Sequence, residues 1–141
     1  MSSRLAQMLL ALLLIAPLSS RARAEDPEAT GRAIISQQIQ AFLDDDAAKA
    51  YSFASPAIQN KFQNKDLFFT MVKKSYSPVY RPGNYAFGRS KIAGDYLLQE
   101  VIISMPDGSD KTAVYQLQKQ DDQTYRINGV QILDKADSKG I

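Results

Sequence analysis

The 141-residue sequence contains no cysteine, no histidine and no tryptophan. The missing cysteine excludes disulfide staples, thiol nucleophiles and a lipid-anchored N-terminus. The missing histidine removes imidazole acid–base chemistry, the Ser-His-Asp and Cys-His arrangements, and the usual zinc and haem ligand sets. Neither sign of charge dominates, with 17 basic against 15 acidic residues. Long apolar runs are also scarce. The longest covers residues 5–18 and is broken only by Gln7 and Pro17.

That run has the plan of a secretory leader: a basic start with Arg4, an apolar middle, and the small-residue ending Ala22-Arg23-Ala24. It is short for ~30 Å of hydrocarbon. The plan predicts cleavage after Ala24, a periplasmic or secreted mature protein that is not a lipoprotein, and no stable membrane insertion. An uncleaved anchor is the alternative, because Arg21 and Arg23 are unusual so near a cleavage site. Removal of residues 1–24 takes away three arginines and no acid, leaving 14 basic against 15 acidic residues. A near-neutral domain is a poor electrostatic partner for nucleic acid. Residues 25–141 read as one domain, large enough for a core of its own; residues 134–141 read as a polar tail.

Residues 27–44 have a helical period, with Ile34, Ile35, Ile39, Phe42 and Leu43 on one face and Gln37, Gln38 and Gln40 mostly off it. Asp45 or Asp46 caps a short helix carrying Ala50, Tyr51 and Phe53. Ser55-Pro56 starts another, presenting Ile58 and Phe62. Asn64 caps a fourth, with Leu67, Phe68, Met71, Val72 and Tyr76 as its stripe; Ser77-Pro78 ends it. Strands follow at 80–91, 96–105, 111–119 and 124–133. Their short connections, among them Pro106-Asp107-Gly108, imply an antiparallel meander. Helices followed by strands give an α+β fold, with N-terminal helices packed on a curved four-stranded antiparallel sheet.

Alternation assigns Leu97, Gln99, Val101, Ile103, Met105, Ala113, Tyr115 and Leu117 to the helix-covered face, with Tyr85, Phe87 and Ile127. The opposite face receives Leu98, Ile102, Val114, Val130 and Ile132, more apolar than a solvated face requires. These five are interface candidates for a homodimer. Tyr76, Tyr80, Arg81, Tyr85, Gln99 and Tyr115 are ligand candidates: Arg81 could clamp an anion among tyrosines, and Gln99 and Tyr115 are inward polar groups in need of partners. For each, the structural alternative is an arginine stacked on tyrosine and paired with an acid, or a polar group satisfied by backbone. Asp44-Asp45-Asp46 could suit a hard cation, but no ligand loop with glycine follows, so a solvated helix end is the simpler reading. No metal, cofactor or catalytic residue is assigned.

Several segments stand together in order: Ile39-Gln40-Ala41-Phe42, then Ala50-Tyr51-Ser52-Phe53-Ala54-Ser55-Pro56-Ala57-Ile58-Gln59, Phe69-Thr70-Met71-Val72, Tyr80-Arg81-Pro82, Phe87-Gly88 and Tyr125-Arg126-Ile127-Asn128-Gly129-Val130. This order resembles the secreted bacterial domain of unknown function family 4864, with Tyr125 where the family pattern has tryptophan. The resemblance implies a nuclear transport factor 2-like (cystatin-like) cone with a pocket at its open end. It implies no activity. Three functions follow as expectations. The first is non-catalytic binding of a small amphiphilic ligand in the cone. The second is a protein interaction module using the outer sheet face. The third is an isomerase- or dehydratase-like enzyme, which would need an inward carboxylate that alternation does not supply. The first predicts a cavity at Tyr85, Gln99 and Tyr115, so that Gln99→Leu abolishes binding with little loss of folding.

Overall fold

The computed structural model describes residues 26–134. The leader and its cleavage site, and the tail beyond Asp134, lie outside the described residues. Asp134 itself is the last residue of a strand.

Among the described residues, five helices precede four strands: α1 (Pro27–Leu43), α2 (Ala47–Ser52), α3 (Pro56–Lys61), α4 (Lys65–Ser75), α5 (Ser77–Tyr80), β1 (Asn84–Ala93), β2 (Tyr96–Ser104), β3 (Asp110–Lys119) and β4 (Tyr125–Asp134). Side-chain caps set the starts of the first four helices. Asp26 accepts from Glu28 N, Asp46 from Lys49 N, Ser55 from Ile58 N, and Asn64 from both Asp66 N and Leu67 N. Ser77-Pro78 does more than stop α4. The chain turns at Tyr76 (φ −131°) and restarts with the proline in the first turn of α5, where its missing N–H costs nothing. This extra turn delays β1 to Asn84 and keeps Tyr80 and Arg81 off the sheet.

The strands pair antiparallel in the order β1-β2-β3-β4, the predicted meander. Gly108, at φ +85°, completes the Pro106-Asp107 turn between β2 and β3. The helices cover one face. Ile35, Ile39 and Phe42 of α1, Phe68, Phe69 and Val72 of α4, and Leu97, Val101, Ile103, Ala113, Tyr115 and Leu117 of the sheet form one buried core. α1 lies so close to β2 that a Cβ on Gly31 would sit 2.4 Å from Leu97 Cδ2. On α4, Leu67 is exposed and Phe69 buried, the reverse of the sequence assignment. The buried face runs through 68, 69 and 72, with Phe68 against Tyr51 of α2 and Phe69 against Phe42 of α1, and position 67 lies a step of ~100° round the helix from 68.

Both edge strands bulge, and the bulges decide which side chains face the helices. In β1, Phe87 pairs with Val101 and Ser90 with Gln99, so Gly88 and Arg89 together oppose Glu100. In β4, Leu117 pairs with Ile127 but Gln116 with Gly129, leaving Asn128 without a partner position. From there the alternation is inverted. Val130 pairs with Tyr115 and Ile132 with Ala113, both on the helix-covered side. The outward placement of Val130 and Ile132 is therefore corrected: one extra residue turned every later side chain over. Leu133, opposite Thr112, takes the outward position instead. The outer edge of β4 is closed at Ile127 by the segment before α3, through Ser55 N to Ile127 O (2.8 Å) and Ile127 N to Phe53 O (2.8 Å).

Candidate functional site

An apolar pocket of about 120 Å³ lies between the helical layer and β4. α1 contributes Gln38 and Phe42, α4 Phe68, Met71 and Val72, and β4 Ile127, Gly129 and Val130. α3 supplies Ile58 and Lys61, with Phe62 just beyond it, and Tyr76 and Val79 complete the wall. The inverted β4 register is what delivers Val130 here. Gln38, almost wholly buried, donates from Nε2 to Ala50 O (3.2 Å). Lys61 is the single charged lining residue among those described, its ammonium 5.6 Å from the Phe62 ring centre. Among the described residues it has no carboxylate within ion-pairing distance. The arrangement is an oily slot with one cation on its wall.

The six ligand candidates are not brought together. Tyr76 alone lines this pocket. Tyr80 and Arg81 sit at the end of α5 and converge on Asp45. The Tyr80 hydroxyl (2.7 Å) and Arg81 Nη2 (2.8 Å) both donate to Asp45 Oδ1. Arg81 also donates to the Phe42 and Tyr80 carbonyls, with its guanidinium 4.1 Å from the Tyr80 ring centre. The hydrogen bond from Tyr80, then that from Arg81, hold the Asp45 carboxyl below its ordinary range, and the same bond raises the Tyr80 phenol. This cluster ties the C-terminus of α1 to α5. Asp45 takes a left-handed turn (φ +53°), Asp46 caps α2, and Asp44 accepts from Gln40.

Tyr85, Gln99 and Tyr115 lie elsewhere, beneath β1–β3. Gln99 is 0% exposed. Its amide shares its hydrogens among the Gly88 (3.3 Å), Arg89 (3.2 Å) and Glu100 (2.8 Å) carbonyls, and Arg32 Nε donates to its Oε1 (3.1 Å). Two of those carbonyls belong to the β1 bulge. Tyr115 is also fully buried and, among the described residues, its hydroxyl has no hydrogen-bond partner. Burial first, then the neighbouring Tyr85, drive its phenol pKa upward. Tyr115→Phe is expected to stabilise the fold by about 1 kcal/mol, by removing a desolvated hydroxyl that gains nothing. Urea unfolding of the two proteins checks this; a less stable phenylalanine variant would mean the hydroxyl is partnered in solution.

The outer sheet face retains Leu98, Ile102 and Val114, of which Ile102 is 44% exposed. Its centre is ionic. The Glu100 side chain, 7% exposed, is gripped by Arg89 through Nη2–Oε1 (2.7 Å), Nε–Oε2 (3.0 Å) and the backbone N–H to Oε2 (3.1 Å). Those bonds lower the Glu100 pKa against the opposing effect of burial. This buried carboxylate therefore points away from the helices. Asn128 and Arg126, from β4, bond Gln116 Oε1 (2.7 Å) and Ser52 O (2.7 Å).

A sequence profile for a domain of unknown function (DUF4864) matches residues 24–140. The chain belongs to that family. A search of curated proteins finds no match. Membership in DUF4864 spans every described element, so the pocket and both bulges lie inside the family's domain. Sequence reasoning missed Gln38 and Lys61 as pocket residues. The helical period put Gln38 mostly off the apolar face, and nothing local distinguishes Lys61 from a solvated lysine.

Proposed function

We propose that this DUF4864 domain is a non-catalytic binding module that admits the apolar end of a small amphiphilic molecule into the slot between α1, α3, α4, α5 and β4. It acts outside the cytoplasm, as the leader-like residues 1–24 imply. The observation that carries the reading is the pocket itself: largely apolar walls with few polar groups, the usual make-up of a small-molecule site. Its volume of about 120 Å³ is near that of a cavity able to hold benzene, so the bound part is small. Kinship with nuclear transport factor 2-like cones is part of the same reading; helices on one face of a sheet bulged at both edges support it.

The test is a blocked pocket. Val130→Phe adds a ring's bulk to a wall that borders empty space, and the fold is expected to tolerate it. Hexan-1-ol, titrated by NMR, is expected to shift the lining residues of the wild type and to bind at least about tenfold more weakly to Val130→Phe. Equal binding by the two proteins overturns the reading. The outer face is the weaker basis for function. It has lost Val130 and Ile132 to the core and is crossed by the Arg89–Glu100 pair.

A further inference from the structure

The pocket is electrically one-sided. Among the described residues Lys61 is its single charged lining residue, and no acid lines it. Among the described residues no carboxylate pairs with this lysine. The nearest acid in the sequence, Asp66, is already paired with Lys65 at 3.3 Å. A cationic head group would meet repulsion here, a neutral one nothing, and an anionic one a cation.

Resting on the binding reading, we infer that the ligand is a small free monocarboxylate, its apolar body in the slot and its carboxylate against the Lys61 ammonium. The volume limits that body to about a benzene ring or a chain of five or six carbons. Each methylene up to that length tightens binding about fourfold, and longer chains run out of apolar wall.

The experiment compares hexanoate, hexan-1-ol and hexylammonium at pH 7 on the wild type, Lys61→Gln and Val130→Phe, by NMR titration. Among the described residues the Lys61 side chain makes no ion pair, so its replacement is expected to leave folding intact. The wild type is expected to prefer hexanoate over hexylammonium by at least about tenfold. Lys61→Gln is expected to bind hexanoate and hexylammonium alike, erasing that preference. Butanoate is expected to bind roughly fifteenfold more weakly than hexanoate, and decanoate no more tightly than hexanoate. Hexan-1-ol binding that Val130→Phe blocks, without a hexanoate preference or without its loss in Lys61→Gln, overturns the carboxylate inference and keeps the pocket. Absence of any binding sensitive to Val130→Phe overturns both.

Discussion

Gln99→Leu is expected to cost about 2–4 kcal/mol of folding stability, the range for stranding buried polar groups while keeping side-chain volume. The glutamine amide reaches three carbonyl oxygens, two of them exposed by the β1 bulge, and its own oxygen receives Arg32 Nε. Leucine fills the same space and offers none of these bonds. The carbonyls of Gly88 and Arg89 then face a dry interior, and Arg32 loses the acceptor that holds it against the sheet. Urea unfolding at neutral pH measures the cost. A variant as stable as the wild type would mean that the bulge carbonyls are satisfied some other way, and that Gln99 is free to serve a ligand. The sequence alone led to the opposite expectation, loss of binding with folding kept, because a polar residue on an apolar face looks like a ligand group until the bulge beside it is known.

What could and could not be read follows from the range of the interactions involved. Asp46, Ser55 and Asn64 announce helix starts because a cap acts within three residues of its own position. The meander was legible for the same reason: short turns leave antiparallel pairing as the available geometry. The bulges were not. Asn128-Gly129 interrupts a run that otherwise alternates well, and only the partner strand shows that Asn128 has no opposite number. Gly129 was the available signal, since glycine inside a strand often marks a bulge. Its neglect put Val130 and Ile132 on the wrong face and hid one wall of the pocket. The other walls come from α1, α3, α4 and α5, and no local pattern reports a void between elements so far apart in the chain.

Glu100→Gln is expected to cost about 2–3 kcal/mol at pH 7, and the cost is expected to disappear in acid. Oε2 accepts both the backbone N–H and Nε of Arg89, so an amide nitrogen at that position would meet two donors with a third. An amide oxygen there would leave the nitrogen against Arg89 Nη2. The half-exposed Arg89 keeps the figure below that of a fully buried pair, because water can rehydrate its guanidinium. The sign of the pH dependence follows from the lowered Glu100 pKa. A carboxyl that is more acidic folded than unfolded stabilises the fold above its unfolded pKa. That contribution is lost as the pH falls through the folded value. Glutamine has no such term, so the gap between the two proteins is full at pH 7 and narrows below about pH 4. Urea midpoints measured from pH 7 to pH 3 give the curve. A gap that stays constant with pH would mean that packing around Gly88, not the charge on Glu100, holds the outer side of the bulge. A gap that closes would leave the β1 bulge clamped from both faces, by Gln99 beneath and Glu100 above. Adjacent residues of β2 would then fix the curvature of the sheet at its edge, without any ligand.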